Sequence, residues 1–362
     1  MSRRPSRPIP YATPHAIVRS CAIALALVLA GGASAAAPRA AADVGNDASA
    51  SANVSTGDAD VDLTLDLAQE RALNADRPDW PAVRARAADL VRAESGEAGR
   101  AAAIGYVLAS LGDGHSFYLS AGQLAARLGG ARDEADGKQR APIAQAQAPL
   151  AGFARLSLNG WVGDGEAAVI EAARQVRRAL IESLGEGRCG LILDLSGNGG
   201  GNMWPMMGGL APLYDEGLVE VYDGRGGRAE LNVRKGALHS GRLRLPNVDL
   251  PPLPPLPARP QRIALILGPQ TASSGEIVAL GFKGQRNARS FGAATAGATN
   301  ANQGVHLPSG GVLALTIARL LDRDGVAQQG PLLPDQRSER PFEAATQWLQ
   351  EQCDGAAQTS AQ

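Results

Sequence analysis

One short stretch of the chain places two serines where serine chemistry is possible. The segment 271–279, TASSGEIVA, follows an apolar strand pattern at 263–267 and opens a helical pattern over 274–282. The first N–H groups of a helix have no partner within the helix, and the helix dipole favours negative charge there. Ser273 therefore suits a nucleophile whose reaction develops an oxyanion. The alternative is a capping box formed with Glu276, which many helices carry without any chemistry.

A histidine earlier in the chain is the second candidate for chemistry. His115 lies in the segment Asp113–Phe117, directly after an apolar helical pattern that ends at Gly112. A histidine after a helix is commonly structural, but glycine on one side and serine on the other leave this ring room to act as a base. His306 is a rival base, although it lies inside a predicted hairpin, where a position on the sheet surface is the alternative.

A glycine-rich loop follows a second buried strand. The apolar run 190–195 leads straight into the sequence SGNGGGN at 196–202, and neighbouring glycines let backbone N–H groups approach a ligand closely. A nucleotide site would require a GxGxxG or a GxxxxGK[ST] arrangement, and neither is present. The loop favours an oxyanion hole. A tight turn that only permits close packing is the alternative.

The composition and the first residues bear on partners and location. Lys and Arg total 35 and Asp and Glu total 36, so the charge indicates neither nucleic acid nor a polybasic membrane surface. Residues 1–35 combine a basic start, an apolar run at 22–30 and the small-residue site Ala33-Ser-Ala35, the pattern of a secretory signal peptide. The apolar run is too short to span a bilayer. We therefore expect a periplasmic or secreted protein with no membrane span after signal removal.

Removal of residues 1–35 leaves two cysteines, Cys189 and Cys353. Disulfides form in an exported protein's compartment, so these two could be bridged and tie the end of the chain to the core. Two independent buried thiols are the alternative.

The remaining patterns divide the chain into segments. An Ala/Ser/Asp-rich leader at 36–61 is predicted to be disordered, and three helical patterns predict a small N-terminal domain at 62–122. A polar linker at 123–150 leads to a core of alternating strands and helices at 151–353, and a tail follows at 354–362. The core opens with a strand–helix–strand unit, whose two strands should be parallel.

Five blocks in the core resemble the tail-specific or C-terminal-processing serine peptidase family, and they stand in the family's order. The blocks are Asp194–Gly201, Thr271–Ile277, Phe291–Gly297, Leu307–Gly310 and Leu333–Asp335. The resemblance implies an α/β fold, a crotonase-like (ClpP-type) spiral of β/β/α units. It also implies Ser273 as the nucleophile, with oxyanion donors from the backbone of Ser274 and of Gly199 or Gly200. We expect neither a metal nor a cofactor.

Two departures from the family pattern select one branch. The processing peptidases carry a lysine base in a Thr-x-Gly-Lys-Gly run, whereas here 295–297 is followed by Ala298. The gap from His115 to Gly152 is also too short for a PDZ-like domain. Tricorn-like peptidases and interphotoreceptor retinoid-binding modules lack that lysine pattern, and the peptidases among them take a histidine from before the core. The segment 113–116 resembles that region, which implies that His115 is the base.

The residue that would orient His115 stays open. The candidate carboxylates are Asp113, Glu276, Asp322 and Asp324. The position expected for the tricorn-like acid holds Gln328 or Gln329 instead.

Three functions are compatible with these residues. The first is an exported serine peptidase that cleaves peptides or protein tails through an acyl-enzyme on Ser273, with His115 as base. The second is a non-catalytic protein of the same fold that binds ligands or peptides, because a fold does not fix a function. The third is a crotonase-like acyl-CoA enzyme, against which export argues, since coenzyme A is a cytoplasmic substrate. The sequence indicates no particular oligomeric state.

Overall fold

The computed structural model describes residues 55–129, 141–163, 165–185, 188–240 and 251–359. The predicted signal peptide at 1–35 and most of the predicted leader lie outside these ranges. Within them, every helix falls short of the length and apolar character that a bilayer crossing requires.

Three helices open the described chain: α1 (Ala59–Arg71), α2 (Trp80–Ala93) and α3 (Glu97–Leu111). The side chain of Asp58 caps α1 by accepting backbone N–H groups, and Asp79 caps α2, which has proline in its first turn. α3 ends at Gly112, whose left-handed φ of 60° suits glycine. Helix α1 thus begins inside the segment expected to be leader, because Asp58 supplies its cap.

The other helices are α4 (Ala121–Gly129), α5 (Glu166–Leu184), α6 (Met203–Leu210), α7 (Ser274–Leu280) and α8 (Pro341–Thr359). The first of two sheets has the order β1 (Phe117–Leu119), β11 (Val312–Asp322), β5 (Gly217–Gly224), β6 (Gly227–Arg234) and β7 (Ala237–Ser240). Strand β10 (Asn300–His306) also pairs with β11, and the whole sheet is antiparallel.

The second sheet has the order β12 (Gln336–Arg337), β9 (Ala288–Gly292), β8 (Arg262–Leu267), β4 (Gly190–Asp194), β3 (Phe153–Leu158) and β2 (Ala144–Leu150). Its strands are parallel except for β2, which is antiparallel to β3. The predicted α/β class is confirmed, and β3 and β4 are parallel as expected. Part of the segment expected as a linker, 123–150, forms the edge strand β2, which is held by its ladder to β3.

The three N-terminal helices pack directly on the antiparallel sheet. Their buried residues share one apolar cluster with Leu307, Leu313 and Leu315 of the hairpin formed by β10 and β11. The carboxylate of Asp60 accepts the backbone N–H of Ser309 at 3.0 Å and also its hydroxyl. The helices and the hairpin are therefore parts of one packed unit.

Helix α8 covers one face of the parallel sheet and is fixed there by a covalent bond. Its buried Ala345 and Leu349 pack against Ile192 of β4 and Ile266 of β8. The other face of β4 packs toward α5 and α6, so the strand is buried on both sides. A disulfide joins Cys189, just before β4, to Cys353 in α8, with the two Cα atoms 6.1 Å apart.

We predict that replacing both cysteines by serine lowers the unfolding free energy. The bridge spans 164 residues, and the chain-entropy model assigns about 5 kcal/mol to a loop of that order. Denaturant unfolding of the oxidised wild type and of the double variant measures the difference. Dithiothreitol serves as the control, because it should lower the wild-type midpoint and leave the variant unchanged. Equal midpoints for the two oxidised proteins would show that the bridge does not stabilise the fold.

A carboxyl group lies inside the core with only a tyrosine as partner. Glu220 on β5 is fully buried, and its Oε1 accepts the hydroxyl of Tyr222 at 2.6 Å. Its Oε2 has no hydrogen-bond partner among the described residues. Burial raises the pKa of Glu220 to about 8, against the lowering effect of the Tyr222 hydrogen bond.

This burial predicts a pH-dependent stability. In the folded state Glu220 keeps its proton up to about pH 8, whereas in the unfolded chain it ionises near its ordinary pKa of 4.5. The unfolded state therefore binds fewer protons between those values, and stability falls as pH rises, by at most about 1.4 kcal/mol per pH unit. Glu220→Gln removes this contribution, so its stability relative to wild type should increase from pH 5 to pH 8.

Denaturant unfolding at pH 5, 6.5 and 8 tests this expectation. Glu230→Gln changes an exposed carboxylate on β6 and serves as the matched control for the exchange of glutamate for glutamine. If the unfolding free energies of Glu220→Gln and wild type differ by the same amount at all three pH values, the expectation is contradicted.

Candidate functional site

Three loops meet at the carboxyl ends of the parallel strands β3, β4 and β8. They are 159–163, 196–202 and 268–273, and β4 lies between the other two strands. The first two loops are joined by backbone hydrogen bonds, including one of 3.0 Å from the N–H of Trp161 to the carbonyl of Gly200. The parallel register thus brings the glycine loop, 196–202, beside the loop 268–273, which we call the serine turn.

Ser273 has an unusual backbone conformation at the start of α7. Its φ is 51° and its ψ is −117°. The residue is buried, with only 3% of its surface exposed. A residue with a Cβ is strained in this left-handed region, and strained residues concentrate at functional sites. The N–H of Ser273 donates to Oε2 of Glu276 at 2.9 Å, which helps hold the turn.

Asn198 fixes the glycine loop against the serine turn. Its backbone carbonyl accepts the N–H of Ala272 at 2.9 Å, and its side chain is fully buried. The two loops approach so closely that a Cβ on Gly275 would come within 2.5 Å of the Asn198 carbonyl oxygen. Glycine at position 275 is therefore required for this approach.

The three backbone N–H groups expected to form an oxyanion hole differ in whether they already have a hydrogen-bond acceptor. The N–H of Gly200 donates to Oδ1 of Asn198 at 2.9 Å, so it is already engaged. The N–H groups of Gly199 and Ser274 have no acceptor in the described part of the chain. A Cβ on Gly199 would meet nothing within 4 Å. Of the three, the N–H groups of Gly199 and Ser274 are thus the ones without an acceptor among the described residues.

Glu276 connects the serine turn to the loop that precedes β10. Its carboxylate accepts the N–H of Ser273 through Oε2, while Oε1 accepts the hydroxyl of Thr295 and the N–H of Gly297 at 2.8 Å. The residue is completely buried, and burial raises its pKa although all these hydrogen bonds act in the opposite direction. Glu276 therefore holds two loops together.

His115 lies in the loop between α3 and β1 and is 8% exposed. Burial lowers the pKa of its imidazole, whereas the charge of Asp113 and a hydrogen bond to the backbone of Asn300 raise it. Its Nδ1 is buried and has no hydrogen-bond partner among the described residues. Because its pKa lies below the ordinary 6.5, the ring is mostly neutral at pH 7.

The segment 297–300 relates His115 to Glu276, and Glu276 to Ser273. The His115 ring meets Asn300 at the start of β10, and Gly297, three residues earlier, donates to Glu276. Glu276 in turn accepts the N–H of Ser273. The described hydrogen bonds include no direct one between the imidazole and the Ser273 hydroxyl.

Two of the four carboxylates considered as the orienting acid, Asp113 and Glu276, form their hydrogen bonds away from the His115 ring. Asp113 accepts the N–H groups of His115 and Ser116 and the hydroxyl of Ser116. Glu276 is bonded to the serine turn and its neighbouring loop, as described above. In the described part of the chain, neither carboxylate is hydrogen-bonded to the His115 ring.

The other candidates lie apart from this arrangement. Asp322, at the far end of β11, accepts backbone N–H groups of its own turn and forms an ion pair of 3.1 Å with Lys283. His306 is exposed at the end of β10. The side chain of Gln328 donates to the carbonyls of Gly330 and Pro331. The described residues contain no group of three or more potential ligands that could hold a metal ion.

Sequence reasoning missed the asparagines that organise the site. Asn198 is visible in the sequence only as one polar residue among glycines, although its position between Gly197 and Gly199 offered a signal. Asn302, which contacts His115 from 187 residues away, gives no local signal.

The chain is similar to known proteins in both sequence and fold. The model of peptidase family S41 matches residues 153–338. A nisin-resistance protein of Lactococcus lactis subsp. lactis is 33% identical over 165 residues, 45% of this chain and 50% of that protein. The present chain thus spans about half the length of this curated relative.

Two solved structures are similar in fold. A lipoprotein from Streptococcus agalactiae has a TM-score of 0.64 and 26% identity, with 81% of this chain and 95% of that chain covered. The photosystem II D1 C-terminal processing protease has a TM-score of 0.51, over 77% of this chain and 92% of that chain. At 15% identity, the second likeness shows the fold alone.

A mixed α/β fold whose core, residues 153–338, is matched by a peptidase family places this chain in the class of peptidase-family proteins. Since the family match covers half of the chain, the protein belongs to peptidase family S41.

Proposed function

We propose that this protein is an exported serine peptidase that cleaves peptides or protein tails through an acyl-enzyme on Ser273. The observation that carries the proposal is the left-handed conformation of Ser273, held beside a glycine loop that Asn198 fixes in place. This arrangement presents a hydroxyl next to free backbone donors, which acyl transfer requires.

In the proposed mechanism, the Ser273 oxygen attacks the carbonyl carbon of the scissile peptide bond while His115 takes the hydroxyl proton. The N–H groups of Gly199 and Ser274 stabilise the oxyanion of the tetrahedral intermediate. His115 then gives the proton to the departing amine, and the acyl-enzyme remains. Water, activated by the same imidazole, releases the acyl group and restores Ser273.

The two carboxylates act through other groups in this proposal. Asp113 holds the backbone of His115, and its negative charge stabilises the imidazolium that forms during the reaction. Glu276 holds the Ser273 turn through the backbone N–H. The chemistry is then performed by a pair, Ser273 and His115, without a carboxylate bound to the ring.

The proposal extends to the finer fold, the location and the substrate. We assign the core to the crotonase-like spiral that the sequence motifs imply. The signal-peptide pattern at 1–35 and the disulfide between Cys189 and Cys353 support a periplasmic or secreted location. The name of the nisin-resistance relative makes nisin one candidate peptide substrate.

A second candidate function is a peptide-binding protein of the same fold without catalysis. The observation that favours it is the Nδ1 atom of His115, which lacks the hydrogen bond that would orient a general base.

We predict that a fluorophosphonate probe labels the protein on Ser273. Ser273→Ala should abolish labelling because the nucleophile is lost, and His115→Ala should slow it by roughly 10²–10⁴-fold, the usual contribution of a general base. Ser240→Ala on the edge strand β7 serves as the control and should label at the wild-type rate. Mass spectrometry of the labelled peptide identifies the site. An unlabelled but folded wild type would support the binding protein instead.

The pH dependence of kcat/KM provides a separate test. Burial lowers the pKa of His115, so the acidic limb of the profile for a cleaved peptide should lie below pH 6.5. The profile of kcat/KM reports the free enzyme, in which this burial applies. An acidic limb centred above pH 6.5, or one retained unchanged in His115→Ala, would exclude His115 as the base.

A further inference from the structure

The backbone N–H and the backbone carbonyl of His115 both form hydrogen bonds with side chains, although this residue lies in a loop. Its N–H donates to Oδ1 of Asp113 at 2.9 Å, two residues away. Its carbonyl accepts Nδ2 of Asn302 on β10 at 2.8 Å, across 187 residues of chain. One contact is therefore local, and the other ties the loop to the sheet.

The amide of Asn302 is itself held in one orientation. Its Oδ1 accepts the hydroxyl of Thr316, a fully buried residue of β11, at 2.8 Å. The N–H of Thr316 donates to Oγ of Ser116 at 2.9 Å, and the Ser116 hydroxyl donates to Oδ2 of Asp113 at 2.7 Å. Together with the two bonds of His115, these contacts close a ring of five residues.

Strand β10 follows the loop that Glu276 ties to the turn of Ser273. Its pairing with β11 shifts register between Ala301 and Asn302, a bulge that re-aims the side chains that follow. The backbone of Asn300, on the same strand, acts on the His115 ring by raising its pKa. The loop just before β10 is bound by Glu276, which also holds Ser273.

We propose that Asn302 is a positioning residue that sets the imidazole of His115 against the hydroxyl of Ser273. The inference rests on the proposed function and deepens it. Asn302 does not touch the substrate; it acts through the carbonyl of His115. A neutral amide suits this place because it donates to a carbonyl and accepts from a hydroxyl at once. An ionised aspartate of the same shape offers only acceptors, so it would oppose the His115 carbonyl.

The experiment compares five variants of the full mature chain by fluorophosphonate labelling rate, peptide hydrolysis and thermal unfolding. Asn302→Ala and Asn302→Asp remove the donor to His115. Thr316→Val removes the hydroxyl that orients the amide, and Thr316→Ser restores it. Gln303→Ala, on the same strand, is the matched control.

Loss of position should reduce the rate strongly, because a displacement of about 1 Å can slow a reaction by about 10²-fold. We expect Asn302→Ala and Asn302→Asp to lower the labelling rate and kcat by about 10–100-fold with KM nearly unchanged. The acidic limb of kcat/KM should move toward pH 6.5 as the ring gains solvent, because burial is what lowers its pKa. Thr316→Val should show the same change to a smaller degree, while Thr316→Ser and Gln303→Ala should match wild type.

The outcomes separate this inference from the proposed function. If Ser273→Ala still labels at the wild-type rate, the proposed function fails. If the Ser273 and His115 variants behave as expected but Asn302→Ala keeps the wild-type rate and acidic limb, only the positioning role fails. It also fails if Thr316→Ser loses as much rate as Thr316→Val. Should Asn302→Ala not fold, Thr316→Val carries the test alone.

Discussion

The close approach of two backbone loops at the ends of β4 and β8 is the constraint on which the site depends. The bond from Ala272 to the carbonyl of Asn198 forms only because neighbouring parallel strands end in register. Gly275 admits the approach by having no side chain. With the loops in contact, the Asn198 side chain accepts the N–H of Gly200, while that of Gly199 has no acceptor in the described part of the chain. This one packing contact thus fixes the glycine loop relative to Ser273.

The parallel core could be predicted from the sequence because its signals are local. Leu191, Ile192 and Leu193 form an unbroken apolar run, which is typical of a strand buried on both faces, and all three are fully buried. The edge strand β2 could not be predicted in the same way. Its sequence AQAQAPL carries little apolar pattern, and it is a strand because β3 offers a free edge with which to pair.

The site was predictable to the level of residue types and loops, and not to the level of individual hydrogen bonds. The spacing of serine, glutamate and glycines pointed to the turn and to the glycine loop. The choice between Gly199 and Gly200 depends on the side-chain conformation of Asn198, which no spacing reveals. The burial of His115 and its tie to Asn302 depend on strands more than 180 residues further along the chain, and such contacts leave no trace in local composition.

The apolar cluster shared by the N-terminal helices and the hairpin has a consequence for how the protein is made. Helices α1–α3 are synthesised before β10 and β11, yet their core is completed by Leu307, Leu313 and Leu315 of that hairpin. A nascent chain that stops before β10 exposes the apolar face of that bundle. It also lacks Asn302, which donates a hydrogen bond to the carbonyl of His115. The core of the helical bundle and the hydrogen bond from Asn302 to His115 are therefore completed only after β10 and β11 have been synthesised.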